Sequence, residues 1–336
     1  MCERVVLYIF SLFFMLIFSV SAEASEFIPY KKHTIYGMWE NDKISFIHTD
    51  RNYTNGIRFG YTSKEYNYFT EDNKMSWAKN VSIVNYNKPH FTRFHLSINQ
   101  EMYTPDYTGT YVPENEHPYG GFLYFNAGIY NRTENTLEHI GIKLGITGPY
   151  ALGEEAQSFI HIMFDKGLFY GWDNQIGTEF IINPYYQWTG RAYIFKTDYF
   201  SMDFLGTLDV ALGNADTHIG AYGTFRIGYN LDNDFGVQKI NALTDAAPVH
   251  SDKLSVYIFA GGGPRVVLYN LFVTGNNSIS DYGYNTNILR WDAVCGIVVS
   301  YYGVRVGYTW TFYTKEYTTQ PYGHTFGHLF MEISFQ

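Results

Sequence analysis

Gly56-Ile57-Arg58-Phe59-Gly60-Tyr61-Thr62 decides the fold. Side chains of an extended chain point to opposite faces in turn, so Ile57, Phe59 and Tyr61 share one face and Arg58, Gly60 and Thr62 the other. The same ribbon recurs. Ile140, Ile142, Leu144 and Ile146 are set against His139, Gly141, Lys143 and Gly145, and Val304, Val306, Tyr308, Trp310 and Phe312 against Arg305, Gly307, Thr309 and Thr311. Shorter cases are Phe94/Leu96/Ile98, Phe225/Ile227/Tyr229 and Leu329/Met331/Ile333/Phe335. Extended to the whole chain, the pattern predicts twelve strands, near 33–41, 53–62, 92–101, 122–130, 136–147, 178–189, 198–211, 216–230, 253–268, 289–300, 301–312 and 323–335.

Such ribbons fit either a soluble sandwich with its apolar faces inward or a transmembrane barrel with those faces toward lipid. Three features favour the barrel. The start of the chain reads as a secretory signal peptide over residues 1–24: Arg4, an apolar run from Val5 to Phe18, then Ala22-Glu23-Ala24 as a cleavage site. The ribbons are about ten residues long, the length of a tilted membrane strand, and aromatics stand at their ends, as at Tyr61, Phe91, Tyr130, Tyr229 and Phe312. Their polar faces carry Gly and isolated Arg or Lys, which suit a crowded lumen. The expected fold is therefore all-β: a closed antiparallel barrel of twelve strands, one domain over residues 25–336, in a bacterial outer membrane.

Composition agrees. Thirty-two Tyr and 27 Phe with only 16% charged residues would be unusual in a soluble globule, yet after the leader no apolar run is long enough for a membrane helix. Cleavage after Ala24 would remove Cys2 and leave Cys295 alone, so stability must come from packing and a closed sheet, not a disulfide. The formal charge of −9 argues against a nucleic-acid partner, and no segment calls for an obligate protein partner. Of the connections, 131–135 and 190–197 are short, whereas 63–91 and 231–252 are long; the first of these holds a candidate interfacial helix around Asn73 to Lys79.

Polar chemistry concentrates between the first two strands, in Asn41-Asp42 and Thr49-Asp50-Arg51-Asn52-Tyr53-Thr54-Asn55-Gly56. From Glu154 to about Asp165 the period changes: Ala156, Phe159, Ile160 and Met163 recur at helical spacing, so a short helix in the strand 5–6 connection carries His161. Lying across the barrel mouth, it would aim the imidazole at the strand 1–2 loop. Asp42, Asn41 and nearby carbonyls are hard oxygen donors of the kind Ca2+ prefers, and a histidine beside such a cation suits activation of water against a carbonyl. His48 and His117 are rival bases. Ser158 with His161 would make a serine nucleophile and its base, although residues three apart on one helix rarely orient for that. A non-enzymatic porin or adhesin is the remaining alternative.

Taken in order, Asn41-Asp42, Thr49-Asp50-Arg51-x-Tyr53-Thr54-x-Gly56, Gln100-x-x-Tyr103-Thr104-Pro105, Gly148-Pro149, His161 and Gly171-Trp172-Asp173-Asn174-Gln175 resemble the lipid A 3′-O-deacylase family of outer-membrane enzymes. The motifs span roughly residues 35–180; beyond them the likeness is that of a barrel. The resemblance implies Ca2+-dependent hydrolysis of the 3′-O-linked acyloxyacyl group of lipid A in lipopolysaccharide, at the outer leaflet. It carries over Asn41, Asp42, Thr54 and His161 as site residues: His161 as base, Asp42 and Asn41 at the metal, and Thr54 and Asn41 among the catalytic groups. Lipid A is anionic, which makes Arg51 and then Arg58 the candidate substrate-binding cations. The chain departs from the family where a glutamate follows the histidine: the position is Gly167, with Asp165 the nearest acidic residue.

Overall fold

The computed structural model describes residues 27–45, 51–67, 80–84, 88–163, 165, 167–241, 247–275 and 283–336. The signal peptide, the candidate helix from Asn73 to Lys79, and His48 lie outside them. Twelve long strands run up and down: β1 (His33–Asn41), β2 (Asn52–Thr62), β3 (Phe91–Thr104), β4 (Gly120–Arg132), β5 (Thr136–Thr147), β6 (Phe180–Lys196), β7 (Ser201–Leu212), β8 (Asp216–Tyr229), β9 (Ser255–Asn270), β10 (Leu289–Tyr301), β11 (Val304–Tyr313) and β12 (His324–Phe335). Each pairs antiparallel with the next, and β12 returns to β1 with His33 opposite Phe335 and Asn41 opposite Gly327. The sheet therefore closes. After a break, β2 continues as Tyr66–Asn67 beside Phe91 and Thr92.

Alternation sorts the two faces as the sequence predicts. Phe59 is 63% exposed on the outer wall while Arg58, next to it, is 2% exposed in the lumen. Inward-facing charges are tied to one another, as a low-dielectric interior requires. Arg226 of β8 grips Asp203 of β7 through Nε at 2.9 Å and Nη2 at 2.5 Å, and Asp234 through Nη1 at 2.5 Å. Arg305 of β11 meets Glu332 of β12 at 2.7 Å and Asp234 at 3.0 Å.

Asp234 belongs to the connection between β8 and β9, and this is where the long 231–252 loop goes. Instead of staying outside, it enters the lumen as an internal strap, burying Val237 and Ile240 against Met38, Tyr257 and Phe330, and Phe235 against Tyr130 and Leu205. It reaches Glu40 near the far end of β1, where the backbone N–H groups of Ile240 and Asn241 donate to the carboxylate at 2.9 and 3.0 Å.

Three expectations need correction. β6 runs on to Lys196, not 189, and Tyr302-Gly303, both at positive φ, form the turn before β11. Phe91 and Tyr130 are buried in the interior and belong to no outer aromatic girdle. The helix between β5 and β6, α1 (Gly153–Met163), lies against the outer wall of the barrel, where Ala156 and Ile160 face Gly37, Trp39, Ile57 and Phe59, rather than across the mouth. The apolar stripe of the helix finds its partner on the lipid-facing wall.

Candidate active site

The site forms where β1 and β2 end. Alternation sends Glu40 into the lumen and Trp39 and Asn41 to the outer face. Asn41 then caps the single turn Asp42–Ile44, its Oδ1 accepting the Lys43 N–H at 2.9 Å. Asp42 is fully buried behind this turn, and its Oδ2 accepts the Arg51 N–H at 2.9 Å, which fixes the return of the chain into β2. The Tyr308 hydroxyl holds the turn from β11 by donating to the Ile44 carbonyl at 2.6 Å.

In β2 the register with β3 skips between Tyr53, opposite Tyr103, and Asn55, opposite Met102. This bulge sets two successive side chains on one face. Tyr53 points inward and donates to Glu40 at 2.8 Å, while Thr54 and Asn55 both face outward, Thr54 Oγ1 lying 2.6 Å from Thr104 Oγ1. Asn55 Oδ1 accepts from the Trp39 indole N–H at 2.8 Å and from Asn41 Nδ2 at 3.2 Å.

α1 supplies the opposite wall. Gln100 Nε2 of β3 donates to the carbonyls of Ala151 and Leu152 at 2.8 and 2.9 Å, anchoring the segment that enters the helix. Gly153 sits so close to Gly121 and the Trp172 ring that a Cβ there would fall 2.8 Å from the ring. Gln157 Oε1 accepts the Trp172 indole N–H at 2.7 Å. One turn on, His161 is 8% exposed and packs edge-on to Phe169. Its Nδ1 lies 2.6 Å from the Gly167 carbonyl. A carbonyl only accepts, so Nδ1 carries the proton and Nε2 is the basic nitrogen.

Between these walls lies a cavity of about 200 Å³ lined by Trp39, Asn41, Lys43, Ile44, Thr54, Asn55, Met102, Gln157, Ile160 and His161. Trp39 and Ile160 also line an apolar groove of about 590 Å³ on the lipid-facing wall, with Phe59, Phe159 and Met331. The cavity thus opens sideways toward lipid.

Asn41, Thr54 and His161, predicted as site residues, come together here, with Asp42 directly behind Asn41. Arg51 does not line the cavity; its side chain lies 3.7 Å from Asp106 and over the Tyr322 ring, beside the turn that buries Asp42. Arg58 does not belong: it faces the lumen and bonds Asn99 Oδ1 at 2.5 Å, because Ile57 and Phe59 on either side claim the outer wall. Asp165 is exposed, and Gly167 contributes its backbone carbonyl where the family has a glutamate. Ser158 does not line the cavity. His117 is buried elsewhere, stacked on Tyr103; burial lowers its pKa below the ordinary histidine range. Sequence reasoning missed Asn55, Gln157 and Trp39. Asn55 adjoins Thr54 in the quoted motif, and Gln157 lies one helical turn before His161, so both were within reach. The donors around Asn41 and Asp42 are carboxylate, amide, hydroxyl and carbonyl oxygens, a set whose chemistry fits a hard cation such as Ca2+.

A closed barrel with an apolar wall, a lumen crossed by ion pairs and a cavity of amide, hydroxyl, imidazole and apolar side chains opening toward lipid defines an outer-membrane β-barrel protein with a candidate active site on its membrane-facing side. The family model for outer membrane protein LpxR matches residues 9–335, and the chain belongs to that family. The resemblance to lipid A 3′-O-deacylases read from the motifs is thereby borne out. The solved structure of LpxR from Salmonella typhimurium is similar at a TM-score of 0.74 and 16% identity, over 90% of this chain and 100% of that one. The beta domain of the Bordetella autotransporter BrkA is more remote, with a TM-score of 0.43 and 8% identity over 91% of this chain and 100% of that one. No curated protein matches the chain in sequence.

Proposed function

We propose that the protein is a Ca2+-dependent esterase of the outer membrane that removes the 3′-O-linked acyloxyacyl group of lipid A by His161-activated water. One observation carries this reading: an imidazole whose tautomer is set by the Gly167 carbonyl lines, with amide and hydroxyl groups, a cavity that opens on a lipid-facing apolar groove. In that arrangement the substrate ester enters from the membrane, its acyl chain along Phe59, Phe159 and Met331 and its carbonyl in the cavity.

His161 Nε2 takes a proton from water as the water oxygen attacks the ester carbonyl, and the tetrahedral oxyanion forms. The intermediate collapses with cleavage of the bond to the sugar oxygen, which leaves as the sugar hydroxyl after taking the proton back from the imidazolium. Thr104 can donate to Thr54 at 2.6 Å, while the Thr54 hydroxyl donates to the Asn52 carbonyl at 3.3 Å, a long bond it would give up to meet the oxyanion. Asp42 and Asn41 would hold Ca2+, whose chemistry is to polarise the carbonyl. Arg51, and the exposed Lys43 that lines the cavity, meet the lipid A phosphates, with the site at the outer-leaflet side. A serine-nucleophile phospholipase is disfavoured because Ser158 is not in the cavity.

The test is the mass of lipid A from a host with unmodified lipid A, before and after expression of the full chain. Loss of the 3′-linked acyloxyacyl mass, abolished by His161→Ala and by a calcium chelator, supports the reading. An unchanged spectrum from a folded, calcium-supplied protein sinks it.

A further inference from the structure

Of the three amide side chains that line the cavity with His161, two are held the same way. Asn55 Oδ1 accepts the Trp39 indole N–H at 2.8 Å, and Gln157 Oε1 accepts the Trp172 indole N–H at 2.7 Å. An indole nitrogen only donates, so each bond fixes which end of the amide is oxygen and which is NH2. Asn55 is 2% exposed and Gln157 3% exposed, and neither Asn55 Nδ2 nor Gln157 Nε2 has a hydrogen-bond partner among the described residues. A buried NH2 group without an acceptor is costly, and two in one small cavity call for an acceptor that the chain does not supply.

We propose that Asn55 and Gln157 are catalytic residues forming an oxyanion hole: their NH2 groups receive the oxygen that becomes negative when water adds to an ester carbonyl. The donors come from opposite walls, Asn55 from the β2 bulge and Gln157 from α1, one turn before the base. Neutral amides suit the task, because fixed dipoles in a water-poor cavity stabilise developing charge without reorganising. The bulge supplies the geometry. Without its extra residue, Thr54 and Asn55 would fall on opposite faces of the sheet. The two tryptophans act as positioning residues that keep the amides from turning over. This inference rests on the esterase reading above.

Asn55→Asp and Gln157→Glu keep shape and the acceptor for each indole while replacing NH2 with a carboxylate oxygen that repels an oxyanion. In the full-length protein in detergent, with lipid A as substrate, each should lower kcat about 10²- to 10³-fold with KM within about twofold, as loss of an oxyanion donor does elsewhere. The folded barrel is verified for each variant by its heat-modifiable migration. Trp39→Phe, which removes only the indole N–H, should lower kcat by roughly three- to tenfold and keeps the test open if a buried carboxylate prevents folding. Folded variants at the wild-type rate, or ones that raise KM and leave kcat alone, overturn the inference. A wild-type protein without deacylase activity, or His161→Ala that retains it, overturns the esterase reading and this inference with it. An active wild type and a dead His161→Ala, beside fully active amide variants, overturn the oxyanion hole alone.

Discussion

The lumen and the outer cavity both gather polar side chains, and they do so in different ways. The lumen is dense in charge, and most of that charge is paired: Arg226 spans Asp203 and Asp234, Arg305 spans Asp234 and Glu332, and Arg132 grips Glu65 through Nε and Nη2, both at 2.7 Å, whereas buried Lys239 has no hydrogen-bond partner among the described residues. The outer cavity holds one imidazole, amides, a hydroxyl and Lys43 among apolar side chains, and two of its amides lack an acceptor among the described residues. Crowded charge here records what it costs to fill a barrel. Chemistry is marked where partnerless amide donors stand beside an imidazole in one cavity.

The sharpest attempt to break this contrast is His161→Ala, which should lower kcat by on the order of 10³- to 10⁴-fold while leaving thermal stability near wild type; a modest loss would remove the cavity as the site. Arg226→Met should do the reverse. Stranding Asp203 and Asp234 in the lumen should cost about 3–5 kcal/mol in denaturant unfolding, with kcat per folded barrel within about twofold of wild type. Thr54→Ala should lower kcat about 10²-fold if its hydroxyl meets the oxyanion, and stability assays should register little. The smallest effect separates the two arginines read from sequence: Arg51→Ala should raise KM for lipid A several-fold, and Arg58→Gln should leave KM unchanged. A KM shift at Arg58 would mean that substrate reaches the lumen.

Strands were legible wherever alternation ended on a polar or glycine break. β1 and β5 lie at the expected residues because Asn41-Asp42 and Thr147-Gly148 stop the pattern. β6 was misjudged at Gly190, which looks like a turn glycine; in the structure it makes room for the Trp188 ring, where a Cβ would fall 2.7 Å from the ring. Arg58 could have been assigned to the lumen from its neighbours Ile57 and Phe59. The Gly167 carbonyl could not be read, since a backbone acceptor leaves no side-chain signature. Nor could the internal strap, where Leu231, Phe235, Val237 and Ile240 mix with Asp232, Asp234 and Lys239 without a period, because its surroundings are themselves half polar. The apolar stripe announced the existence of α1, but nothing in one sequence says which surface a stripe will meet.

The strap also bears on conduction through the barrel. A segment that ties β8 to β11 through Asp234 and packs Phe235, Val237 and Ile240 into the lumen narrows the bore. In a planar bilayer the full-length protein should therefore conduct far less than an unplugged barrel of the same strand number.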